Sequence, residues 1–499
     1  MPKPAIDKDL ERVGQLSRAT DDVARAMAAP GLALVFILAT LIWAAFAVTS
    51  GPLSSLVVVA TVLAAYMALN IGANDVANNM GPAVGANALT MGVALAIAAV
   101  FEAAGAFLAG GDVVETISRD IVAPGTHLGT MPFIMVMMSG LLASALWINL
   151  ATYVRAPVST THSVVGGIVG AGIAAAGFSA IVWPTMAAIT ASWIISPVLG
   201  GLIASAFLLV IKHTILSTPD RLDAARLWVP IFVSAMAGIF TAYMAIKGLE
   251  RVWTPPVPMV VLVSAVLALV AWLLARPWVA ARTQEAEVSK KQIGTLFRLP
   301  LIVAAALLSF AHGANDVSNA IGPLAAIAQA ATGSPETLAP VPHWVMAIGA
   351  LGIAFGLMLF GPRLIRTVGG EITRLNEIRA FCVALSTATT VLVAAALGIP
   401  VSSTHIAIGS IFGVGFFRER MSNGSLYRPV VSPEGVFLRT SHLNPTPQAA
   451  VANFKKRRRR HLVRRSHLVT ILAAWVVTVP ASALLAALLY AAMRLVFRF

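Results

Sequence analysis

Two aspartates stand inside apolar sequence with amides and helix-bending residues around them. In GANDVANNMGP, residues 72–82, Asp75 lies between Asn74 and Asn78 and is bracketed by Gly72, Gly81 and Pro82. In GANDVSNAIGP, residues 313–323, Asp316 has Asn315 and Asn319 in the same places. A carboxylate at the centre of a membrane helix costs about 2.5–3.5 kcal/mol, and neither motif holds a Lys or Arg to offset that cost. The partners left are amide and backbone oxygens, a proton or a bound cation. The flanking Gly and Pro can break the helix and turn carbonyls inward. Oxygen ligands suit a hard cation such as Na⁺ at Asp75 and Asp316, and a desolvated carboxylate that takes up a proton suits H⁺ coupling. Glu102, in VFEAAGAF, is a third intramembrane acid and a candidate for coupling or gating.

A second pair of motifs carries different chemistry. PVSTTH, residues 157–162, and PVSSTH, residues 400–405, each set hydroxyls behind a proline that interrupts the chain. A helix starting just after the proline has free N–H groups and the positive end of its dipole at Ser159, Thr160 and Thr161, or at Ser402, Ser403 and Thr404, which is a place for an anion. Hydroxyl donors hold a tetrahedral oxyanion less tightly than Arg would, and a carrier must release what it binds. Three readings are open for His162 and His405: contact with the anion, orientation of the loop, or a satisfied structural histidine. Asp112 and Glu115, past the end of an apolar run, read as loop residues.

The chain repeats itself. The aspartate motifs agree at eight of eleven positions and the hydroxyl motifs at five of six. Asp75 and His162 are 87 residues apart, Asp316 and His405 are 89 apart, and Gly166, Gly170 and Gly172 return as Gly409, Gly413 and Gly415. Simple helix caps would not recur in this order. Two such halves are a frequent plan for secondary transporters, in which inverted repeats bring broken helices together at the midplane. A parallel repeat remains the alternative. Glu102 has no counterpart, since no acid occurs between Glu336 and Glu371.

The elements that must position these residues are membrane helices. Of 499 residues 58% are hydrophobic and 11% charged, with mean hydropathy +0.85. Eleven apolar runs lie between residues 31 and 493, and two shorter Gly-rich runs, 163–178 and 406–417, lie beside the hydroxyl motifs. The expectation is an all-α polytopic membrane protein of about 12 segments, in two homologous and inverted repeats with broken helices or re-entrant hairpins. It divides into an N-terminal amphipathic segment (1–30), membrane repeat 1 (53–180), connecting helices and linker (181–299), membrane repeat 2 (300–417), a basic loop (418–466) and a C-terminal helix (467–499).

The net charge of +14 is concentrated in connections such as KKRRRRHLVRR, residues 455–465. Basic residues beside spans mark the cytoplasmic side and meet anionic membrane lipid, so no nucleic-acid partner is expected. That rule places 276–298, 362–379 and 418–466 in the cytoplasm. The single cysteine, Cys382, excludes an intrachain disulfide and a cysteine metal cluster, and reads as a small packing residue.

At these motifs the sequence resembles the inorganic phosphate transporter (PiT) family of permeases. GANDVANNMGP, FEAAG leading to GGDVVETI, PVSTTH, GANDVSNAIGP and PVSSTH carry the resemblance, which covers most of residues 60–417. It implies an inverted-repeat bundle, with Asn74, Asp75, Asn315 and Asp316 holding the cation and Ser159, Thr160, Thr161, Ser402, Ser403 and Thr404 holding phosphate. It also implies cation-coupled symport of inorganic phosphate across a bacterial plasma membrane, with no cofactor and no enzymatic activity. Homodimeric assembly is an open option. Animal members carry a membrane glutamate before the second hydroxyl motif, whereas residues 381–399 here contain no acid, so H⁺ and Na⁺ both stay open as the coupling ion. The alternatives are a sulfate permease of the same fold, an ion channel, and an intramembrane hydrolase using Asp, Ser and His.

Overall fold

The computed structural model describes residues 27–48, 51, 53–122, 128–154, 156, 158–250, 253–283, 290–332, 341–371, 375–425, 430–431, 437–438 and 465–497. The chain is nearly all helix there. In order the helices are α1 Met27–Ala47, α2 Ser54–Gly85, α3 Met91–Ala109, α4 Gly111–Arg119, α5 Thr130–Tyr153, α6 Thr160–Ala176, α7 Trp183–Ile211, α8 Arg221–Tyr243, α9 Val257–Thr283, α10 Lys290–Leu296, α11 Arg298–Asp316, α12 Ser318–Ala331, α13 His343–Glu371, α14 Glu377–Ala396, α15 Ser403–Ser425 and α16 Arg465–Phe497. Two strands of two residues each, Val430–Val431 and Phe437–Leu438, pair antiparallel. Most of the amphipathic segment and of the basic loop lies outside the described residues.

Among the described residues eleven helices are long and apolar enough to cross a membrane, and α6 is a shorter apolar helix. This is a multi-pass membrane protein, as its composition requires. Burial separates the helices by role: within the most apolar 18-residue stretch of each, 89% of the residues in the α11–α12 span and 67% in α2 lie inside the protein, against 6% in α9. The aspartate motifs therefore sit on the central helices, and α9 faces outward with apolar residues.

The two halves interlock. α2 of the first half packs on α13 of the second, and α11 of the second packs on α3 of the first. Glycines set these crossings. Gly72 lies against the carbonyl of Ile353 and Gly313 against that of Glu102, while Gly105 meets the carbonyl of Phe310 and Gly356 that of Leu69. The four contacts form two matching pairs, so Glu102 and Ile353 occupy equivalent places. Glycine is needed because a side chain would collide with backbone that cannot move aside.

The glycines after the hydroxyl motifs have the same purpose. Gly166 and Gly170 on α6 meet Val479 and Ala483 of α16, and Gly409 and Gly413 on α15 meet Pro197 and Gly201 of α7. Each half thus takes its supporting helix from across the molecule. Gly-mediated contact is how apolar helices gain close packing where lipid removes any hydrophobic advantage.

Two sequence readings change. α2 runs through Asp75 without interruption, with Pro82 inside it, whereas in the second half the helix is divided at Val317. The proline still matters, since it removes the helical donor to the carbonyl of Asn78 in one half and of Asn319 in the other. Asp112 and Glu115 are on a helix, α4, rather than in a loop, and Asp112 forms an ion pair with Lys247 at 2.7 Å. Cys382 is fully buried, as read.

Replacing Gly413 by Leu should push α15 off α7 and cost about 1–3 kcal/mol or more. Thermal unfolding in detergent is expected to shift down by several degrees, while Gly92→Ala, where nothing lies within 4 Å of an added methyl, leaves it unchanged.

Candidate functional site

The aspartate helices and the hydroxyl loops meet at one buried centre. Asp75, Asp316, Asn74, Asn78, Asn315 and Asn319 are all buried, as are Ser159, Thr160, Thr161, Ser402, Ser403 and Thr404. All the candidate cation and phosphate residues of the four motifs are therefore in the protein interior, and most of them touch one another.

The contacts cross between halves. Thr404 Oγ1, from the second hydroxyl loop, donates to Asp75 Oδ1 at 3.2 Å and accepts from Asn78 Nδ2 at 2.8 Å. Thr160 and Thr161, from the first loop, donate to Asp316 Oδ1 at 3.4 and 3.3 Å, and Asn319 Nδ2 donates to the same oxygen at 2.9 Å. Ser403 donates to Asp316 Oδ2 at 2.9 Å. Each aspartate thus faces hydroxyls of the opposite repeat, and Asp316 also holds one from its own.

The asparagines just before the aspartates work within a half. Asn315 is clamped to the backbone of Val401, donating to its carbonyl at 2.8 Å and accepting from its N–H at 3.3 Å. Asn74 donates to Thr152 Oγ1 at 3.0 Å and, weakly, to the carbonyl of Ala156 at 3.5 Å. These two residues hold the loops in place, and the side chains at Asp75, Asn78, Asp316 and Asn319 line the centre.

Ser159 and Ser402 cap their own helices. Ser159 Oγ accepts from the N–H of His162 at 3.1 Å and Ser402 Oγ from that of His405 at 3.3 Å, the usual way a serine at a helix start satisfies a free N–H. Their hydroxyl protons are left to donate. The histidine rings point away from these serines and toward each other. His162 and His405 lie edge to face with centroids 4.3 Å apart, flanked by Trp193 at 3.8 Å and Trp475 at 3.5 Å. The nucleophile–base pairing that a hydrolase needs is not assembled at Ser159, because the ring nitrogens of His162 make no hydrogen bond.

His312 was not singled out in the sequence. It stands one turn before Asp316, with Nε2 3.1 Å from Asp316 Oδ2 and 3.6 Å from Asp75 Oδ2, and Nδ1 3.1 Å from Glu102 Oε2. Glu102 Oε1 in turn accepts from Asn79 Nδ2 at 2.7 Å. The buried centre therefore offers a nitrogen as well as oxygens. Asp75, His312 and Asp316 each present one atom, all within 4.8 Å of one another and all buried. A signal was present: between the two nearly identical motifs, the residue before the shared Gly-Ala-Asn-Asp is Ile71 in one and His312 in the other.

A helical membrane fold with a buried polar centre built from both halves of the chain is an architecture found in membrane transporters. The sequence profile of the phosphate transporter family matches residues 71–486, and the chain belongs to that family. It is 43% identical to a Helicobacter pylori protein described as "Putative phosphate permease", over 98% of this chain and all of that one. It is 36% identical to a protein of the same description from Pyrococcus abyssi, over 74% of this chain and 91% of the relative. A solved structure titled "The sodium-dependent phosphate transporter" superposes with a TM-score of 0.74 at 33% identity, covering 89% of this chain and all of that one.

Asn315→Ala should untie the second loop at Val401 while leaving the first loop held. Hydrogen exchange is expected to speed up about tenfold over residues 401–405, corresponding to about 1.4 kcal/mol of lost local stability, with residues 158–162 unchanged.

Proposed function

We propose that the chain is a symporter that carries inorganic phosphate together with a coupling cation by alternating access. The observation that supports this reading most is the crossed set of hydrogen bonds between aspartates and hydroxyl loops. A Ser or Thr hydroxyl has one proton to donate. While Thr160, Ser403 and Thr404 spend theirs on Asp316 and Asp75, and Thr161 spends its own on Asp316 or on the carbonyl of Val401 3.0 Å away, none of them offers it to an anion. A cation that satisfies the two carboxylates releases those protons toward phosphate and removes the repulsion between like charges. Binding of either species then favours the other, and by linkage the effect is reciprocal.

The reading assigns Asp75, Asn78, Asp316 and Asn319 to the cation, with Glu102 bearing on it through His312. Asn74 and Asn315 position the loops. Ser159, Thr160, Thr161, Ser402, Ser403 and Thr404 with their helix N-termini hold phosphate. The sodium-dependent transporter among the structural relatives favours Na⁺ as the driver, and in a bacterium the site of action is the inner membrane.

Inversion of the repeats follows if the long helices cross the bilayer. Val122, just before α5, pairs with Ile181, just after α6, so α5 and α6 form a hairpin that starts and ends on one face. Between the end of α2 and the start of α11 the remaining crossings are α3, α7, α8 and α9, an even number. α11 then starts on the side where α2 ends and runs the other way. Related helices of opposite direction are what let one module close the inside and its mate the outside. The same count puts the basic connections after α9, α13 and α15 on one face, which the positive-inside rule makes cytoplasmic.

The test is uptake of labelled phosphate into proteoliposomes, with Na⁺ varied at constant pH and pH varied without Na⁺. Phosphate accumulation driven by one of the two gradients is expected, with Asp75→Asn and Asp316→Asn each abolishing it. Sulfate uptake without phosphate uptake, or intact driven uptake in both variants, would overturn the reading. Phosphate near neutral pH keeps a proton that a carboxylate can accept and sulfate does not, so excess sulfate is expected to compete poorly.

A further inference from the structure

We propose that α4 is the outer gate of the transport path, and that the contacts of Thr116 with Gly398 and of Asp112 with Lys247 are the latch that holds it shut. This rests on the reading of the chain as an alternating-access carrier and identifies a part that must move. Three observations carry it.

The first is where α4 lies. This nine-residue helix, Gly111–Arg119, has one inward side, on which Val113, Val114, Ile117 and Ser118 are buried, while Glu115 on the other side is exposed. The inward side presses on the second aspartate motif. Ile117 packs on Gly322 of α12, and Gly110, just before α4, packs on Val317, the residue after Asp316. The helix therefore sits directly beside the break that divides α11 from α12.

The second is what α4 is tied to. Thr116 Oγ1 donates to the carbonyl of Gly398 at 2.7 Å, Arg119 donates to Gln329 Oε1 at 2.8 Å, and Asp112 pairs with Lys247 at 2.7 Å. Gly398 is the left-handed residue that closes α14 and opens the turn into the second hydroxyl loop. Gln329 is in the last turn of α12, and Lys247 follows α8. An element of the first half thus makes these bonds to the second half and to the connecting helices. By the crossing count above, the tip of the α14–α15 hairpin, the end of α12 and the end of α8 all point to the face opposite the basic connections. That is the outer face, and α4 fastens the three together there.

The third is how lightly it is fastened. The side chains of Lys247 and Asp112 are 25% and 43% exposed, and ion pairs that open to solvent contribute little and weaken with salt. Lys247 also shares its charge with Glu250 at 3.2 Å. Beside the pair opens a cleft of about 350 Å³, lined by Asp112, Tyr243, Lys247, Glu250 and, from α14, Ala395. It leads from the latch to the hairpin that carries Ser402, Ser403 and Thr404. A few weak polar bonds over a close-fitting seat make a closure that is readily released, as a gate requires.

The experiment uses the full chain in right-side-out membrane vesicles, in a Cys382→Ala background, with Ser118→Cys as a reporter on the inward side of α4. The readout is its rate of reaction with an impermeant, negatively charged methanethiosulfonate added outside. Thr116→Val and Lys247→Met are each expected to raise the rate about two- to tenfold, as loss of one hydrogen bond or ion pair would. Asp223→Asn, at the opposite end of α8, should leave it unchanged. Ser309→Cys, a reporter buried on the cytoplasmic side of the centre, should stay unreactive in both latch variants. In a second arm, Asp112→Cys with Lys247→Cys is bridged by a short bifunctional methanethiosulfonate. Phosphate uptake should stop on bridging and return on reduction. Undiminished uptake by the bridged chain would overturn the inference. So would a rate unchanged in both latch variants, or an equal gain at Ser118→Cys and Ser309→Cys, which means general loosening. Absence of phosphate uptake in the unbridged chain would defeat the proposed function instead, and the labelling arm, which needs no transport, still decides on the gate.

Discussion

Everything in this structure turns on two carboxylates that share one small buried space. Asp75 and Asp316 each present an oxygen within 4.8 Å of the other and of His312 Nε2. Like charges that close in a low-dielectric interior repel strongly, and burial alone already disfavours each charge. The repulsion has to be met by donors, a proton or a cation. The fold meets part of it by bringing hydroxyls from both halves against the aspartates, and that need explains why four chain segments distant in sequence converge.

The convergence dictates the helix packing. Bringing α2 and α11–α12 to the centre from opposite halves requires close crossings at both, and Gly72, Gly313, Gly105 and Gly356 provide them against neighbouring carbonyls. Holding two loops at the ends of α6 and α15 requires firm support behind each. That support comes from α16 and α7, seated in the glycine grooves of the opposite half's helix. Loop backbone at membrane depth is tolerated where it lines a polar centre, and Asn315 satisfies both backbone groups of Val401 there. The motif glycines with Asn74 and Asn315 thus position the helices and loops, and the aspartates, Asn78, Asn319 and the hydroxyls line the centre.

Much of this was legible in the sequence because the repetition marked it. Eight shared positions around Asp75 and Asp316 and five around the hydroxyls could not be explained as separate local features, and the structure gathers both pairs in one place. What stayed hidden came from two sources. Side-chain direction was one: nothing in the spacing shows that Asn74 and Asn315 turn to the loops while Asn78 and Asn319 turn to the centre. The other was attention to identity over difference. Comparing the halves for what they share passes over His312 and Asn79, whose counterparts Ile71 and Ala320 are apolar. The uninterrupted course of α2 was also not readable, since glycines that permit a break and glycines that permit a close crossing look alike in one dimension.

The differences between the halves matter more than their small number suggests. A fully symmetric pair of repeats would give two equivalent carboxylates and no preference between them. Asn79, Glu102 and His312 form a continuous polar line that ends on Asp316, with 3.1 Å to Asp316 against 3.6 Å to Asp75. Asp316 also accepts from Thr160, Thr161, Asn319 and Ser403, while Asp75 accepts from Thr404 and, at 3.4 Å, from Asn78. The two acids are therefore unequal: one is well supplied with donors and the other is poorly supplied. A cation entering this centre gains most at the poorly supplied one, since the free energy recovered is greatest where a buried charge has least compensation. The two halves together build the centre, and under the proposed function the shortage of donors at Asp75 makes it the acid that a cation satisfies most.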